Sequence, residues 1–236
     1  RDAVQHVNVD SVAVILEELS MLHECRLFQA SSAAIFEGTD ETPQTENTRR
    51  APLTPYAWSK LASMALVDQA RNRGLFAVSG ILYNHESPLR GSGFVTRRVT
   101  MAVARIAAGL QSSLELGDLE SVRDWGWAPD YVRAMRLMLA ADTPRDYVLA
   151  TGVSHYLYEF VDKAFRAAEM PDWYPYITVS SERNRAADSK LLVGDSRAAS
   201  IELGWHRTLK FEQIVMAMVQ HDMELLHNSE AIWPLE

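Results

Sequence analysis

The sequence predicts an α/β fold built on a mostly parallel sheet, and three observations carry that reading. Stretches with helical apolar spacing alternate with short strand-like runs. The run Leu75-Phe76-Ala77-Val78-Ser79-Gly80-Ile81-Leu82-Tyr83 is almost continuously apolar, as a parallel strand covered on both faces must be. The chain has 236 residues, 47% of them hydrophobic, enough to bury a sizeable core.

In chain order, the spacing of Val12, Ile15, Leu16, Leu19 and Leu22 predicts an amphipathic helix over 11–24. Residues 26–31 read as a strand, and a polar loop follows over 39–50. A second helix spans 56–73 and stops at Gly74, a residue suited to a helix C-terminus. After the strand at 75–83 comes a basic helix over 94–109, whose Arg97, Arg98 and Arg105 read as a solvated face. From about residue 154 the pattern is helical but looser, with a polar loop at 180–190 and a last helix near 210–226. The organisation is one α/β body with a less regular C-terminal part.

Composition narrows the function. Twenty-three basic residues against thirty-one acidic ones give a net charge of −8. That argues against nucleic acid as a partner, because neutralising phosphates needs a surplus of Lys and Arg on one face. No apolar run is long enough to cross a bilayer, so no membrane association is expected. The opening residues carry no secretory pattern, and the single cysteine, Cys25, has no partner for an internal disulfide. A cytoplasmic protein is the expectation. The seven histidines lack zinc-site spacing, so no metal is expected.

Chemistry begins in Thr54-Pro55-Tyr56-Ala57-Trp58-Ser59-Lys60, where Tyr56 and Lys60 share one helical face. An ammonium there lowers the phenol pKa and makes Tyr56 usable as an acid–base group. With eight Tyr and four Lys in the chain, chance supplies far fewer than one such pair. Ser32 adds a hydroxyl upstream, at the end of the first strand-like run. Ser32, Tyr56 and Lys60 stand in the order that short-chain dehydrogenases/reductases use.

The stretch GLFAVSGILYNHESPLRGSGFVTRRVTMAVARI (74–106) resembles GDP-mannose 4,6-dehydratases, in the extended branch of that superfamily. So do FQASS (28–32), LGDLESVRDWGWAPDYVRAM (116–135), DYVLATG (146–152), LLVGD (191–195) and LGW (203–205). The resemblance runs from about residue 5 to 225 and lacks the family's N-terminal third. It implies an incomplete Rossmann-like, doubly wound parallel sheet with a smaller C-terminal α/β substrate-binding part. Residues 1–86 and 124–155 would form the C-terminal portion of an NADP-binding domain, and 87–123 and 156–236 a GDP-sugar-binding domain. The implied reaction converts GDP-mannose to GDP-4-keto-6-deoxymannose through NADP that is regenerated, in a homo-oligomer (dimer or tetramer).

By the same resemblance Ser32, Tyr56 and Lys60 are catalytic, and Lys60, His85 and Arg90 hold the cofactor. Asn84, Thr96, Arg123, Arg185 and Asp188 would contact the GDP-sugar. An Arg suits a diphosphate and a carboxylate suits ribose hydroxyls. Three departures stand out. The family's proton-abstracting Glu, two residues after the catalytic hydroxyl, is Ala34, and the nearest following carboxylate is Glu37. No G-x-x-G-x-x-G turn occurs in the chain. A family Tyr near the nicotinamide aligns with Gln5, and the first Arg of the family's SPRRG motif is Leu89. Two other readings follow from these: a catalytically impaired GDP-sugar-binding homologue, or a reductase of the 4-keto product, which needs no such base. A sheet lacking its first strands exposes a strand edge and an apolar face. The chain alone is therefore expected to be poorly stable or to self-associate; sedimentation combined with urea unfolding checks this, and a sharp monomeric transition would refute it.

Overall fold

The computed structural model describes residues 2–22, 25–180 and 191–228. The chain opens with helices α1 (Asp2–Gln5) and α2 (Ser11–Ser20), joined by a π-helical turn at His6–Asp10. Strand β1 (Arg26–Ala30), helix α3 (Pro55–Asn72) and strand β2 (Phe76–Leu82) follow. Next come β3 (Asn84–Glu86), α4 (Val95–Ala107), β4 (Leu114–Leu116), β5 (Val122–Trp127), α5 (Ala128–Ala140) and β6 (Tyr147–Leu149). The remainder is β7 (Ser154–Tyr156), α6 (Leu157–Ala167), β8 (Ile177–Val179), α7 (Arg197–Leu203) and α8 (Phe211–Asn228).

The described residues fall into two compact units, 2–22, 25–85, 124–154 and 191–208 in one, and 86–123, 155–180 and 209–228 in the other. In the first unit β1, β2 and β6 form a parallel sheet with β2 central. Leu27 lies beside Ala77, and Leu82 beside Leu149. Val78 and Leu82 pack with Tyr131, Ala134 and Met138 of α5 and with Ala199 of α7. On the other face Ile81 packs with Met64 of α3, and Ala77 with Val12, Leu16 and Val67. Helices thus cover both faces, which is the doubly wound arrangement the apolar run demanded. Gly80 is needed where the Phe28 ring crosses the sheet, because a Cβ there would meet that ring at 2.6 Å.

The outer edge of β6 is closed by side chains. Val148 donates its N–H to Glu46 at 2.8 Å, and Ala150 donates its own to Ser196 Oγ at 2.7 Å. Gln44, fully buried, fastens the same region. Its Oε1 accepts from Tyr83 Oη at 2.7 Å and from Val193 N at 3.0 Å, and its Nε2 donates to the Glu41 carbonyl. These bonds, with Gln44 N to Val193 O at 2.8 Å, are why residues 191–208 sit with the first unit, whereas the sequence division put all of 156–236 in the second. Trp205 completes the attachment by donating its indole N–H to Asp130 O at 2.7 Å.

In the second unit α4 packs against α6 and α8, and Val99, Val103, Phe160, Val161, Ile214 and Met218 on these helices are buried. A two-stranded parallel sheet, β4 with β8, belongs to the same unit. Arg97 is a correction to the solvated basic face: it is buried and paired with Asp222 of α8. The first helix also differs, since helical backbone begins at Asp2 and α2 ends at Ser20, whose hydroxyl bonds the Glu17 carbonyl at 2.6 Å. Gln44→Met keeps the volume but strands the Tyr83 hydroxyl and the Val193 N–H. A loss of about 2–4 kcal/mol is expected, read as a lower urea midpoint at an unchanged slope.

Candidate active site

The site residues of the first unit gather at the carboxyl end of its sheet, where connecting loops of parallel sheets place ligands. Ser32 caps the 3-10 turn Ala33–Phe36 from extended backbone, its Oγ accepting the Ala34 N–H at 3.2 Å. That bond occupies a lone pair and leaves the hydroxyl proton without an acceptor among the described residues. Thr54 caps α3 by accepting the Ala57 N–H at 3.2 Å, and Pro55 presets the first helical position. Tyr56 therefore stands in the first turn, 45% exposed, with Lys60 one turn further on.

Lys60 Nζ lies 5.7 Å from the centre of the Tyr56 ring and donates to the Ala30 carbonyl at 3.0 Å. Burial pushes its pKa below the ordinary lysine value. One side chain thus ties α3 to the end of β1, two residues before Ser32. Ala34 supplies no proton acceptor in the turn. Glu37 accepts the Thr54 hydroxyl at 3.1 Å, which keeps its carboxylate at the N-terminus of α3. Asn84 and His85 open β3, and the His85 ring stacks on Tyr131 with centroids 4.7 Å apart. Its Nδ1 is 2.8 Å from the Tyr83 carbonyl, a contact that assigns the proton to that nitrogen.

Arg90, Thr96 and Arg123 belong to the second unit. Thr96 is buried and gives its hydroxyl proton to Glu86 Oε2 at 2.7 Å. Arg123 donates to the Val122 carbonyl at 2.7 Å. Arg185 and Asp188 lie outside the described residues. Sequence reasoning missed Glu86, which is 1% exposed and whose pKa burial pushes up to about 7, against the opposing pull of Arg90 and Thr96. Its position four residues before Arg90 was the available signal. Among the described residues no group of three His, Cys, Asp or Glu could hold a metal ion, and no helix is long and apolar enough to cross a membrane.

Solved structures share this architecture. RMD from Pseudomonas aeruginosa, complexed with NADPH, superposes with a TM-score of 0.84 at 22% identity, over 93% of this chain and 74% of that one. The dTDP-glucose 4,6-dehydratase of Bacillus anthracis, in complex with NAD, gives 0.80 at 19% identity over 96% and 70%. These likenesses define the class of fold, a Rossmann-like α/β arrangement. The family model for GDP-mannose 4,6 dehydratase matches residues 2–218, and the chain belongs to that family. GDP-mannose 4,6 dehydratase 2 of Arabidopsis thaliana is 43% identical over 208 residues, which cover 88% of this chain and 55% of the relative. The Homo sapiens GDP-mannose 4,6 dehydratase is 35% identical over 94% of this chain and 66% of its own length. The chain thus spans between half and two thirds of these curated relatives.

Glu86 makes stability depend on pH. Between its ordinary 4.5 and about 7 the folded protein holds this proton more tightly than the unfolded chain does. The contribution is therefore complete below 4.5 and lost as pH rises through about 7, up to roughly 3 kcal/mol. Glu86→Gln is expected to flatten that part of the profile, measured as urea midpoints between pH 4.5 and 8.

Proposed function

We propose that this chain carries the acid–base machinery of a GDP-mannose 4,6-dehydratase that uses NADP. The observation that supports this most is the Lys60 link: an ammonium held by the Ala30 carbonyl, beside Tyr56 and two residues from the Ser32 hydroxyl. Lys60 spends one of its three N–H donors on Ala30, which leaves two for the ribose hydroxyls of a nicotinamide nucleotide. His85 and Arg90 are proposed as further cofactor contacts, and Asn84, Arg123, Arg185 and Asp188 as contacts to the GDP-sugar. When bound, the cofactor would supply a reversible hydride acceptor for the sugar carbons.

The chain's own residues handle protons. Tyr56 takes the C4 hydroxyl proton, helped by the nearby Lys60 charge. Ser32 donates its unspent O–H to the same oxygen and steadies the developing ketone. The ketone acidifies the C5 proton, whose removal with loss of the C6 hydroxyl completes dehydration. Ala34 offers no group for that removal, and Glu37 is engaged by Thr54. The C5 step is accordingly the slow one in this reading.

Incubation with GDP-mannose and NADP⁺, followed by mass spectrometry, tests it. The expected product is lighter than the substrate by one water, and Tyr56→Phe should slow its formation roughly 10²–10⁴-fold. Ala34→Glu should accelerate it. No product from either the native chain or Ala34→Glu, with NADP⁺ bound, would overturn the dehydratase reading in favour of a GDP-sugar-binding homologue.

A further inference from the structure

Glu86 and Thr96 are buried in the second unit, and the proposed function gives neither a task. Both converge on Arg90. Thr96 donates to Glu86 Oε2 at 2.7 Å, and the same oxygen stands 3.4 Å from Arg90 Nε. The guanidinium carbon lies 3.5 Å from the centre of the Phe94 ring, so the group is also pressed flat on one side. A carboxylate that pairs with an Arg frequently grips it through two short parallel bonds. Here the nearest approach is to the inner Nε, at 3.4 Å, and that nitrogen has no hydrogen-bond partner among the described residues. The outer fork has none among the described residues either, although the side chain is only 21% exposed.

We infer that Glu86, locked by the Thr96 hydroxyl, is a positioning residue that aims the outer N–H fork of Arg90 at a nucleotide phosphate. Four donors in one plane match two oxygens of a phosphate, and stacking on Phe94 fixes that plane before the ligand arrives. Thr96 thereby acts through Glu86 instead of touching the ligand. The inference rests on the reading that this chain binds a nicotinamide nucleotide through Arg90.

NADP⁺ binding at about pH 8.5, where Glu86 is ionised, tests the arrangement by calorimetry. Glu86→Gln and Thr96→Val are each expected to weaken binding roughly tenfold, whereas Thr96→Ser keeps the hydroxyl and the native affinity. In an Arg90→Ala background Glu86→Gln should cost nothing more. Equal losses in both backgrounds, or no loss in either, overturn the proposal. Hydrogen exchange of the Arg90 Nε–H, followed by NMR without ligand, supplies an independent arm. Exchange should be faster in Thr96→Val than in the native chain and native-like in Thr96→Ser; identical rates in all three overturn the positioning. A native chain that binds no NADP⁺ overturns the phosphate role and the cofactor reading together, and the exchange rates then decide the positioning alone.

Discussion

A parallel strand covered on both faces needs an apolar partner for almost every side chain, and Phe76–Leu82 imposes that need on the first unit. Val78 and Leu82 look toward α5 and α7, while Ala77 and Ile81 look toward α2 and α3. The two helix layers are therefore fixed by the alternation of one strand. Ser79 is the exception, a buried hydroxyl in the middle of the run with no hydrogen-bond partner among the described residues. Because the sheet is parallel, the carboxyl ends of its strands lie together, and Ser32 after β1 and the Tyr56–Lys60 pair opening α3 are delivered there by two segments.

Polar side chains then do at the strand ends what backbone cannot. Asp124 accepts from the Thr151 N–H and hydroxyl and from the N–H groups of Gly152 and Gly194. Burial raises its pKa, but these four donors favour the ionised form. Glu86 is equally buried with a poorer set, one hydroxyl and a distant Nε, and its pKa is pushed up to about 7. The first is a structural acceptor, and the second faces the Arg90 guanidinium.

How much of this was readable beforehand depends on range. The central strand, the helix ending at Gly74 and the Tyr56–Lys60 face are written in adjacent residues, and the structure places them within a residue or two. Arg97 looked like one more charge on a basic helix because its partner, Asp222, is 125 residues away. Attachment of 191–208 to the first unit was equally hidden, since it hangs on Gln44, a residue whose sequence context is an ordinary polar loop. Glu86 showed the spacing to Arg90 but not its burial, and burial is what gives that spacing meaning.

Gln44 has one more implication. Its side chain and backbone hold Glu41, Tyr83, Leu191, Val193 and Asp195 at once. The loop before α3 and the segment leading into α7 consequently share a single opening event rather than fraying separately. Far apart in the chain, they form one cooperative patch beside the outer edge of β6, and their amide protons reach solvent together.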